Sequence, residues 1–317
     1  MKKVEHVEWV KSALPAVAPK RERTCPQEEY FRDKSVVIVG PSPSLKGSGQ
    51  GEYIDSFDIV VRVNKGWWPA TTLDPKFTEY IAEQLYECYD KNDYQSYEHF
   101  KEIEYHILPG CLQNDIGSRT DVLYNNYDTN TSSGGIMHPA IFIAAGIEMI
   151  IGSRYPTDEL DVKECERFLL DHAMWGGIGT GLVNAHIYQK AMANLRGKTP
   201  HAGHSAILDL IYGNGKLAKS VHITGFSYYG EMPAREYYMG NKAWKHVNDD
   251  FDESMNSQTN DGHEYGHDNT LEIEDIARLI LKEGPDGNGR VTCDQLLKDR
   301  IRDVIGVPDP AGISDKS

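Results

Sequence analysis

The stretch that decides the fold is Ser35-Val-Val-Ile-Val39, which stops abruptly at Gly40-Pro-Ser-Pro-Ser44. Its apolar residues follow one another without alternation, which is typical of a strand buried on both faces of a parallel sheet. Similar runs occur at 57–63, 148–152 and 220–225, and helix-like segments precede the last two. Strands that alternate with helices predict an α/β fold with a parallel, doubly wound central sheet flanked by helices.

The remaining segments complete a simple domain plan. Residues 1–34 are polar with a helical pattern, which predicts an N-terminal helical appendage before a single domain over 35–317. Aromatic and charged residues crowd 76–106 without a clear strand, which indicates a helical insertion. The stretch 270–282 predicts a closing helix with five apolar residues on one face; these are Ile273, Ile276, Ala277, Ile280 and Leu281.

The composition is that of a globular protein, and it excludes some classes of function. The chain has 317 residues, with 33 Lys and Arg against 48 Asp and Glu, and its formal net charge is −15. Such a charge disfavours general nucleic-acid binding. No apolar run is long enough for a membrane span, and we expect no signal peptide. The five cysteines are scattered and lack CxxC spacing, which predicts a reducing compartment and a cytoplasmic protein.

The loop after the first strand has the composition of a ligand-binding turn. Residues 40–51 contain four glycines and three serines, and such residues at the carboxyl end of a strand suit a phosphate or a ribose. The loop matches neither the dinucleotide fingerprint nor the P-loop, because its glycine spacing differs from both. By pattern alone, a nucleotide site and an ordinary Gly/Ser turn both remain open.

The longer stretch Val36–Asn64 resembles the large sialylmotif of the eukaryotic-type sialyltransferases, glycosyltransferase family 29. The retained features are Leu45-Lys-Gly-Ser-Gly49, Ile54-Asp55, Asp58 and Arg62-Val-Asn64, together with the strand end at Gly40 and Ser42. The resemblance implies a Rossmann-like fold of the GT-A class. It also implies a CMP-sugar as co-substrate, with no metal and no other cofactor.

Two positions depart from the family pattern. Pro41 and Ser44 stand where the family usually has Asn, and the first of these Asn residues contacts the donor nucleotide. The resemblance therefore implies donor contacts from Gly40, Ser42, Ser44 and Asn64.

Two further segments resemble family motifs. The sequence 115–120 is similar to the element that follows the large motif in the family. Because this element lies far beyond Asn64 in this chain, the resemblance implies an insertion over about 67–113. The segments 200–205 and 221–226 resemble the small sialylmotif, although His201-Ala202 replaces its hydroxyl pair. This placement implies donor contacts from Gly203, Ser205 and Gly225.

A rival placement of the small motif starts at the turn 131–135, which an apolar helix and the strand 150–152 follow at the same spacing. The later placement is preferred because it precedes the terminal histidine motif by a family-like interval. The earlier turn remains a candidate border of the donor pocket, through Ser132, Ser133 and Gly134.

The resemblance also concerns the family's disulfide, which joins the large and small motifs. Val36 and Ala218 stand at the corresponding positions. The resemblance therefore implies that this bond is absent, as in a cytoplasmic version of the fold.

The segment 246–275 contains ten acidic residues and neither Lys nor Arg. Its histidines and carboxylates permit a metal site, but the spacing favours a solvated acidic loop, and we expect no metal. Within it, His267-Asp-Asn-Thr-Leu-Glu272 predicts a capping box with Asn269 as N-cap. The same residues resemble the very short sialylmotif, which implies His267 as general base and Glu272 as an orienting residue. His246 is favoured over His263 as the second histidine, which would neutralise the leaving phosphate.

Together these features predict an inverting glycosyltransferase that transfers sialic acid, or a related acid sugar such as Kdo, from a CMP-sugar to a glycan hydroxyl. The expected partners are the donor and the glycan acceptor, with no nucleic acid and no membrane. Two alternatives remain open. One is a metal-dependent GT-A transferase with another nucleotide sugar, and the other is an inactive nucleotide- or glycan-binding module.

Overall fold

The structure is a computed structural model that describes residues 26–67, 69–71, 110, 112–126, 142, 145–155, 178–228, 268–284 and 288–305.

The described part of the chain contains a seven-stranded sheet in the order β5-β4-β3-β2-β1-β6-β7, and every neighbouring pair is parallel. The strands are β1 (Ser35–Val39), β2 (Ile59–Val63), β3 (Val122–Asn125), β4 (Met149–Gly152), β5 (Gly179–Leu182), β6 (Ser220–Thr224) and β7 (Val291–Cys293). The predicted α/β fold with a Rossmann-like parallel sheet is therefore confirmed. The sequence predicted β1, β2, β4 and β6, but not the short strands β3, β5 and β7.

The helices that the structure describes are α1 (Pro26–Phe31), α2 (Gly51–Asp55), α3 (Gln113–Ile116), α4 (Ala185–Asn194), α5 (Ala202–Tyr212), α6 (Asn269–Glu283) and α7 (Gln295–Ile305). None of them is long and apolar enough to cross a bilayer.

The order of the strands changes direction once. From β1 the chain adds β2, β3, β4 and β5 on one side, and it then returns to place β6 on the other side of β1. In register, Val37 lies between Val60 of β2 and His222 of β6. The boundary between β1 and β6 is therefore the switch point of the sheet, where open α/β folds bind their ligands.

The core lies on both faces of the sheet because side chains alternate along each strand. Val36 and Ile38 pack on one face with Ile207 of α5 and Ile276 of α6. Val37 and Val39 pack on the other face with residues of α2 and α3. This two-sided burial explains why β1 is apolar throughout.

Helix α1 lies within the segment predicted as an appendage. Its Phe31 is completely buried in the core, and the Gln27 side chain donates to the carbonyl of Thr180 in β5. Residues 26–31 are therefore part of the folded domain. The boundaries of the predicted insertion, at about 67–113, fall largely outside the described residues.

The apolar face predicted for the closing helix is wrong at one position. Ile273, Ile276 and Ala277 are buried, but Leu281 is 66% exposed. Successive helical residues turn by about 100°, and this rotation carries Leu281 away from the sheet. Leu279, on the opposite flank of the buried face, is buried instead.

A buried carboxylate joins three elements on one side of the sheet. Asp209 of α5 accepts hydrogen bonds from Tyr124 Oη of β3 (2.8 Å), from the Asn184 backbone N–H (2.8 Å) and from Asn214 Nδ2 (2.9 Å). Burial raises its pKa to about 6 despite these bonds. Its partners are all uncharged, so they satisfy the carboxylate oxygens without fully offsetting the cost of burying the charge.

The first two motifs of the sequence are joined by side chain to backbone hydrogen bonds. The Asp55 carboxylate accepts the backbone N–H of Ser118 at 2.7 Å, and the Asp115 carboxylate accepts that of Gly49 at 3.0 Å. Between them, the completely buried Arg62 of β2 donates to the segment 116–120. Its acceptors are the carbonyls of Ile116 (2.6 Å) and Arg119 (3.0 Å) and the Thr120 hydroxyl (3.0 Å).

We predict that Arg62→Met strongly destabilises the fold. The variant leaves two buried acceptors and one half-buried acceptor without this donor. Each buried one costs about 1–3 kcal/mol, so the free energy of unfolding should fall by roughly 2 kcal/mol or more. Denaturant titration measures this loss. The matched control is Arg32→Met, because Arg32 is an exposed arginine whose guanidinium pairs with the nearby Glu29 at 2.7 Å. Equal midpoints for the two variants would contradict the structural role of Arg62.

Candidate functional site at the switch point

The candidate site is the crevice outside the carboxyl ends of β1 and β6. Here the chain that leaves β1 bonds directly to the chain that leaves β6. The backbone N–H of Gly40 donates to the Thr224 carbonyl (2.8 Å), and that of Ser42 donates to the Gly225 carbonyl (3.0 Å). The two segments that resemble the large and small sialylmotifs therefore meet at the switch point.

Close packing at this edge requires glycine at three positions. A Cβ on Gly40 would lie 2.3 Å from the Gly225 carbonyl oxygen, and a Cβ on Gly203 would lie 2.6 Å from the Phe226 ring. Gly225 itself has a φ of +72°, and its Cβ would approach Leu45 to 2.4 Å. The glycines retained from the motifs thus bring the β1 loop, the β6 loop and the start of α5 together.

Ser42 and Ser44, in the loop after β1, differ in their exposure to solvent. A short 3₁₀ helix, Pro43–Leu45, starts at Ser42, whose Oγ accepts the Ser44 backbone N–H and lies 2.8 Å from Ser44 Oγ. Ser42 is buried and Ser44 is exposed. Of the two predicted donor contacts, Ser44 is therefore the hydroxyl that solvent and ligands can reach directly.

Asn64 follows β2, the next strand along the carboxyl edge. Its φ is +49°, and its side-chain oxygen accepts the backbone N–H of Asn126 at 3.2 Å. The side chain therefore holds the ends of β2 and β3 together. Asn64 lies on the same edge of the sheet as Gly40, and its side-chain oxygen is engaged by this bond. A donor contact from Asn64 stays a prediction.

The other side of the crevice is braced by Asp294, which precedes α7. Its carboxylate accepts the Gly225 backbone N–H (2.6 Å) and the Thr224 hydroxyl (2.9 Å). The same side chain accepts the Leu297 backbone N–H of α7 at 2.9 Å. Asp294 therefore joins Gly225 to the start of α7 and holds it in position.

His201 and Glu272 form a hydrogen-bonded pair near this edge. His201 is the N-cap of α5, and its side chain makes no capping bond. Instead, its backbone N–H donates to Glu272 Oε1 at 2.6 Å and its ring Nδ1 lies 2.8 Å from Glu272 Oε2. The Glu272 side chain is completely buried, whereas that of His201 is 19% exposed.

A second histidine and carboxylate pair lies one helical turn deeper. His204 Nε2 lies 3.3 Å from Asp275 Oδ2, and His204 Nδ1 lies 3.4 Å from the Tyr228 hydroxyl. Asp275 also accepts from Asn194 Nδ2 at 2.8 Å. His204 is 1% exposed, so this pair belongs to the packed interior.

The histidines determine the charge of both carboxylates. Burial alone would raise the pKa of Glu272. The charges of His201 and His204 and the hydrogen bonds from His201 outweigh this effect and lower the pKa to about 2. Burial also raises the pKa of Asp275, but its contacts with His204 and Arg278 outweigh burial and hold it below its usual value. Both side chains are therefore ionised at neutral pH.

The predicted capping box is wrong. The N-cap of α6 is Asp268, whose carboxylate accepts the Leu271 backbone N–H at 3.0 Å, and Asn269 is the first helical residue. Glu272 does not reach back to the helix start, because its two oxygens are engaged by His201. An aspartate next to the predicted asparagine has the same capping chemistry, which explains the shift by one residue.

Ser205 lies one turn into α5 and is 4% exposed. Its hydroxyl has no hydrogen-bond partner among the described residues. A donor contact from Ser205 stays a prediction. The other predicted site residues, Ser132, Ser133, Gly134, His246, His263 and His267, lie outside the described residues.

Sequence reasoning did not find the two histidine pairs, although a signal exists. His201 and His204 are three residues apart, and so are Glu272 and Asp275. Residues at this spacing share one face of a helix, so the two patterns match each other in register. In the described part of the chain, no three His, Cys, Asp or Glu side chains cluster as metal ligands.

We predict that Gly40→Ala destabilises the fold, because the added Cβ forces apart the loops that follow β1 and β6. Its Cβ would meet backbone rather than a movable side chain, and overpacking of this kind costs about 1–3 kcal/mol. Gly179→Ala is the matched control, because Gly179 is an exposed strand residue whose Cβ would have no neighbour closer than 3.5 Å. Thermal and denaturant unfolding compare the two. A loss in Gly179→Ala as large as in Gly40→Ala would refute the close approach.

Comparison with known proteins agrees with the first motif. Residues 2–71 match the family model of glycosyltransferase family 29 (sialyltransferase). No curated protein matches the chain. Two crystal structures of a mammalian sialyltransferase, one in complex with Gal-beta-1-3GalNAc-ortho-nitrophenol, are similar to it at 12% identity. Each alignment covers 92% of this chain and 78% of the sialyltransferase chain, and the TM-scores are 0.42 and 0.41.

The structural likeness is too distant to transfer residue roles. The family match is specific, and it contains β1, the glycine loop and β2. The predicted resemblance to the sialyltransferase family is therefore confirmed over residues 2–71, the part of the chain that carries the large motif.

Proposed function

We propose that this protein is an inverting glycosyltransferase that transfers sialic acid, or a related acid sugar such as Kdo, from a CMP-sugar to a glycan hydroxyl. One observation carries the proposal. In the segment that matches the family model, the first strand ends at Val39, and the loop that follows meets the Gly225 loop at the switch point. Nucleotides bind at this position in open α/β sheets.

In the proposed reaction, the acceptor oxygen attacks the anomeric carbon of the donor sugar from the side opposite the phosphate. The bond between that carbon and the phosphate oxygen breaks, and its electron pair leaves with CMP. Hydrogen-bond donors stabilise the charge that develops on the phosphate. The exposed Ser44 hydroxyl and the loop around it are suitable donors.

The proton of the acceptor hydroxyl goes to a general base, which we propose to be His267. This residue directly precedes Asp268, the N-cap of α6. A histidine titrates near neutral pH and is therefore suited to this task. His246 remains our proposal for the second histidine, ahead of His263.

The same proposal includes catalysis without a metal and a cytoplasmic location. The family resemblance supports the first point. The thiols support the second: Cys293 is free and buried, and Val36 and Ala218 occupy the positions of the family disulfide, both within the apolar core. A reducing compartment suits such a chain.

The donor nucleotide is tested by a thermal-shift panel of CMP, UDP and GDP at matched concentrations, with and without EDTA. A nucleotide that binds only the native state raises the unfolding midpoint by mass action. We predict stabilisation by CMP that EDTA does not change. Stabilisation by UDP or GDP that requires manganese would instead support a metal-dependent GT-A transferase.

The base is tested by His267→Ala. Loss of a positioned general base lowers the rate by about 10²–10⁴-fold, while binding of CMP should persist because the base acts on the acceptor. His186→Ala is the matched control, since His186 is exposed on α4. Transfer at the normal rate by His267→Ala would refute the role. CMP binding without transfer or hydrolysis in the unmodified protein would indicate an inactive binding module.

A further inference from the structure

A second concave site lies between three of the helices that cover one face of the sheet. Helices α4, α5 and α6 enclose a groove with a volume of about 280 Å³. Its α5 residues, Leu208 and Tyr212, come six and ten positions after Ala202, the first residue of that helix. This separation is about 9 to 15 Å along the helix axis. The groove is therefore distinct from the crevice, which lies at the start of α5.

Apolar side chains from all three helices line the groove. They are Ile187 and Ala191 of α4, Leu208 of α5 and Leu279 of α6, and the half-buried ring of Tyr212 lies beside them. Small-molecule sites are usually apolar clefts of about 300–1,000 Å³ with a few polar groups at defined positions. The groove is at the lower end of this range, so it suits the apolar body of a small ligand.

Three cationic side chains surround this apolar surface. Lys190 comes from α4, and Arg278 and Lys282 come from the same face of α6. All three are exposed, and the groove contains one carboxylate, that of Asp275. Such a charge is unusual for this chain, whose formal net charge is −15, but residues 172–208, which include α4, contain no Asp or Glu. The groove is therefore a locally cationic site on an acidic protein.

The contacts of these charges leave the cations available to a ligand. Asp275 accepts a hydrogen bond from Asn194 at 2.8 Å, whereas Arg278 lies 3.6 Å from it. Lys282 lies 3.4 Å from its neighbour Glu283. Hydrogen bonds between charged groups are usually about 2.7–2.9 Å long, so both contacts on α6 are longer than such bonds. An anion in the groove can approach the two cations more closely than their own carboxylate neighbours do.

We propose that this groove binds a small amphiphilic anion, namely an apolar ring or short chain that carries one carboxylate. The apolar part packs against the groove lining, and the carboxylate lies between Lys190 and the two cations of α6. The planar guanidinium of Arg278 matches the geometry of a carboxylate. Nζ of Lys282 lies 5.1 Å from the centre of the Tyr212 ring, so one small molecule can contact the charge and the ring together. The proposal does not depend on the proposed transferase activity.

The test compares 2-naphthoate with 2-naphthamide, an uncharged molecule of nearly the same shape, in ligand-observed NMR titrations. We expect the unmodified protein to bind the naphthoate more tightly. Added salt should reduce this preference, because it screens exposed charges. Equal affinity for the two probes would overturn the cationic site, and no binding of the naphthoate would overturn the proposal as a whole.

The double variant Arg278→Gln with Lys282→Gln removes two cations and keeps long polar side chains. An exposed charge pair contributes about 2- to 5-fold in affinity, so the naphthoate should bind about 4- to 25-fold more weakly, with the naphthamide unchanged. The melting temperature should change little, since both side chains are exposed. An unchanged naphthoate affinity in the folded double variant would refute the proposal.

Lys219→Gln is the matched control, because Lys219 is an exposed lysine that directly precedes β6 at the amino end of the sheet. It should bind both probes as the unmodified protein does. A loss of naphthoate affinity as large as in the double variant would indicate general attraction to surface cations, and it would overturn the site.

CMP separates the groove from the crevice. Because the two sites lie apart, an excess of CMP should leave the naphthoate bound to the unmodified protein. Displacement by CMP would place the naphthoate in the crevice and overturn the proposal. If the protein binds no CMP at all, the proposed donor fails, and the charge variants still decide whether the groove is a site.

Discussion

The meeting of β1 and β6 is the constraint on which the rest of the structure depends. Two backbone hydrogen bonds join the loops that leave these strands, and the Gly40 position tolerates nothing larger than hydrogen. The strand order reverses at the same boundary. The sheet topology, the glycines and the motifs therefore all point to the same crevice. Asp294 and helix α5 stabilise the segments that surround it.

Two completely buried carboxylates show how the surroundings set the role of a side chain. Asp209 has only uncharged partners, and burial raises its pKa to about 6. Glu272 is buried to the same extent, yet the imidazoles beside it bring its pKa to about 2. The first group joins structural elements, whereas the second is a permanent charge that can position and polarise a histidine ring.

The sequence predicted much of the sheet but little of the histidine arrangement. Continuous apolar runs identified β1, β2, β4 and β6, because burial on both faces leaves an unmistakable pattern. The strands β5 and β7 contain Thr or Gly among their apolar residues. β3 has only three apolar residues in a row, without the apolar helix-like segment that precedes β4. The capping residue of α6 was missed by one position, since Asp268 and Asn269 are chemically similar caps. The pair His201–Glu272 joins residues 71 positions apart, a contact that periodicity alone does not reveal.

The most direct measurement of the central claim is amide hydrogen exchange with and without CMP, resolved by segment. Binding at the switch point should slow exchange in residues 40–46 and 201–205 and around Gly225, because the ligand covers these backbone amides. Exchange at the distant edge strand β5 and along α7 should stay unchanged. Protection confined to other segments, with residues 40–46 exchanging as in the free protein, would contradict a nucleotide site at this crevice.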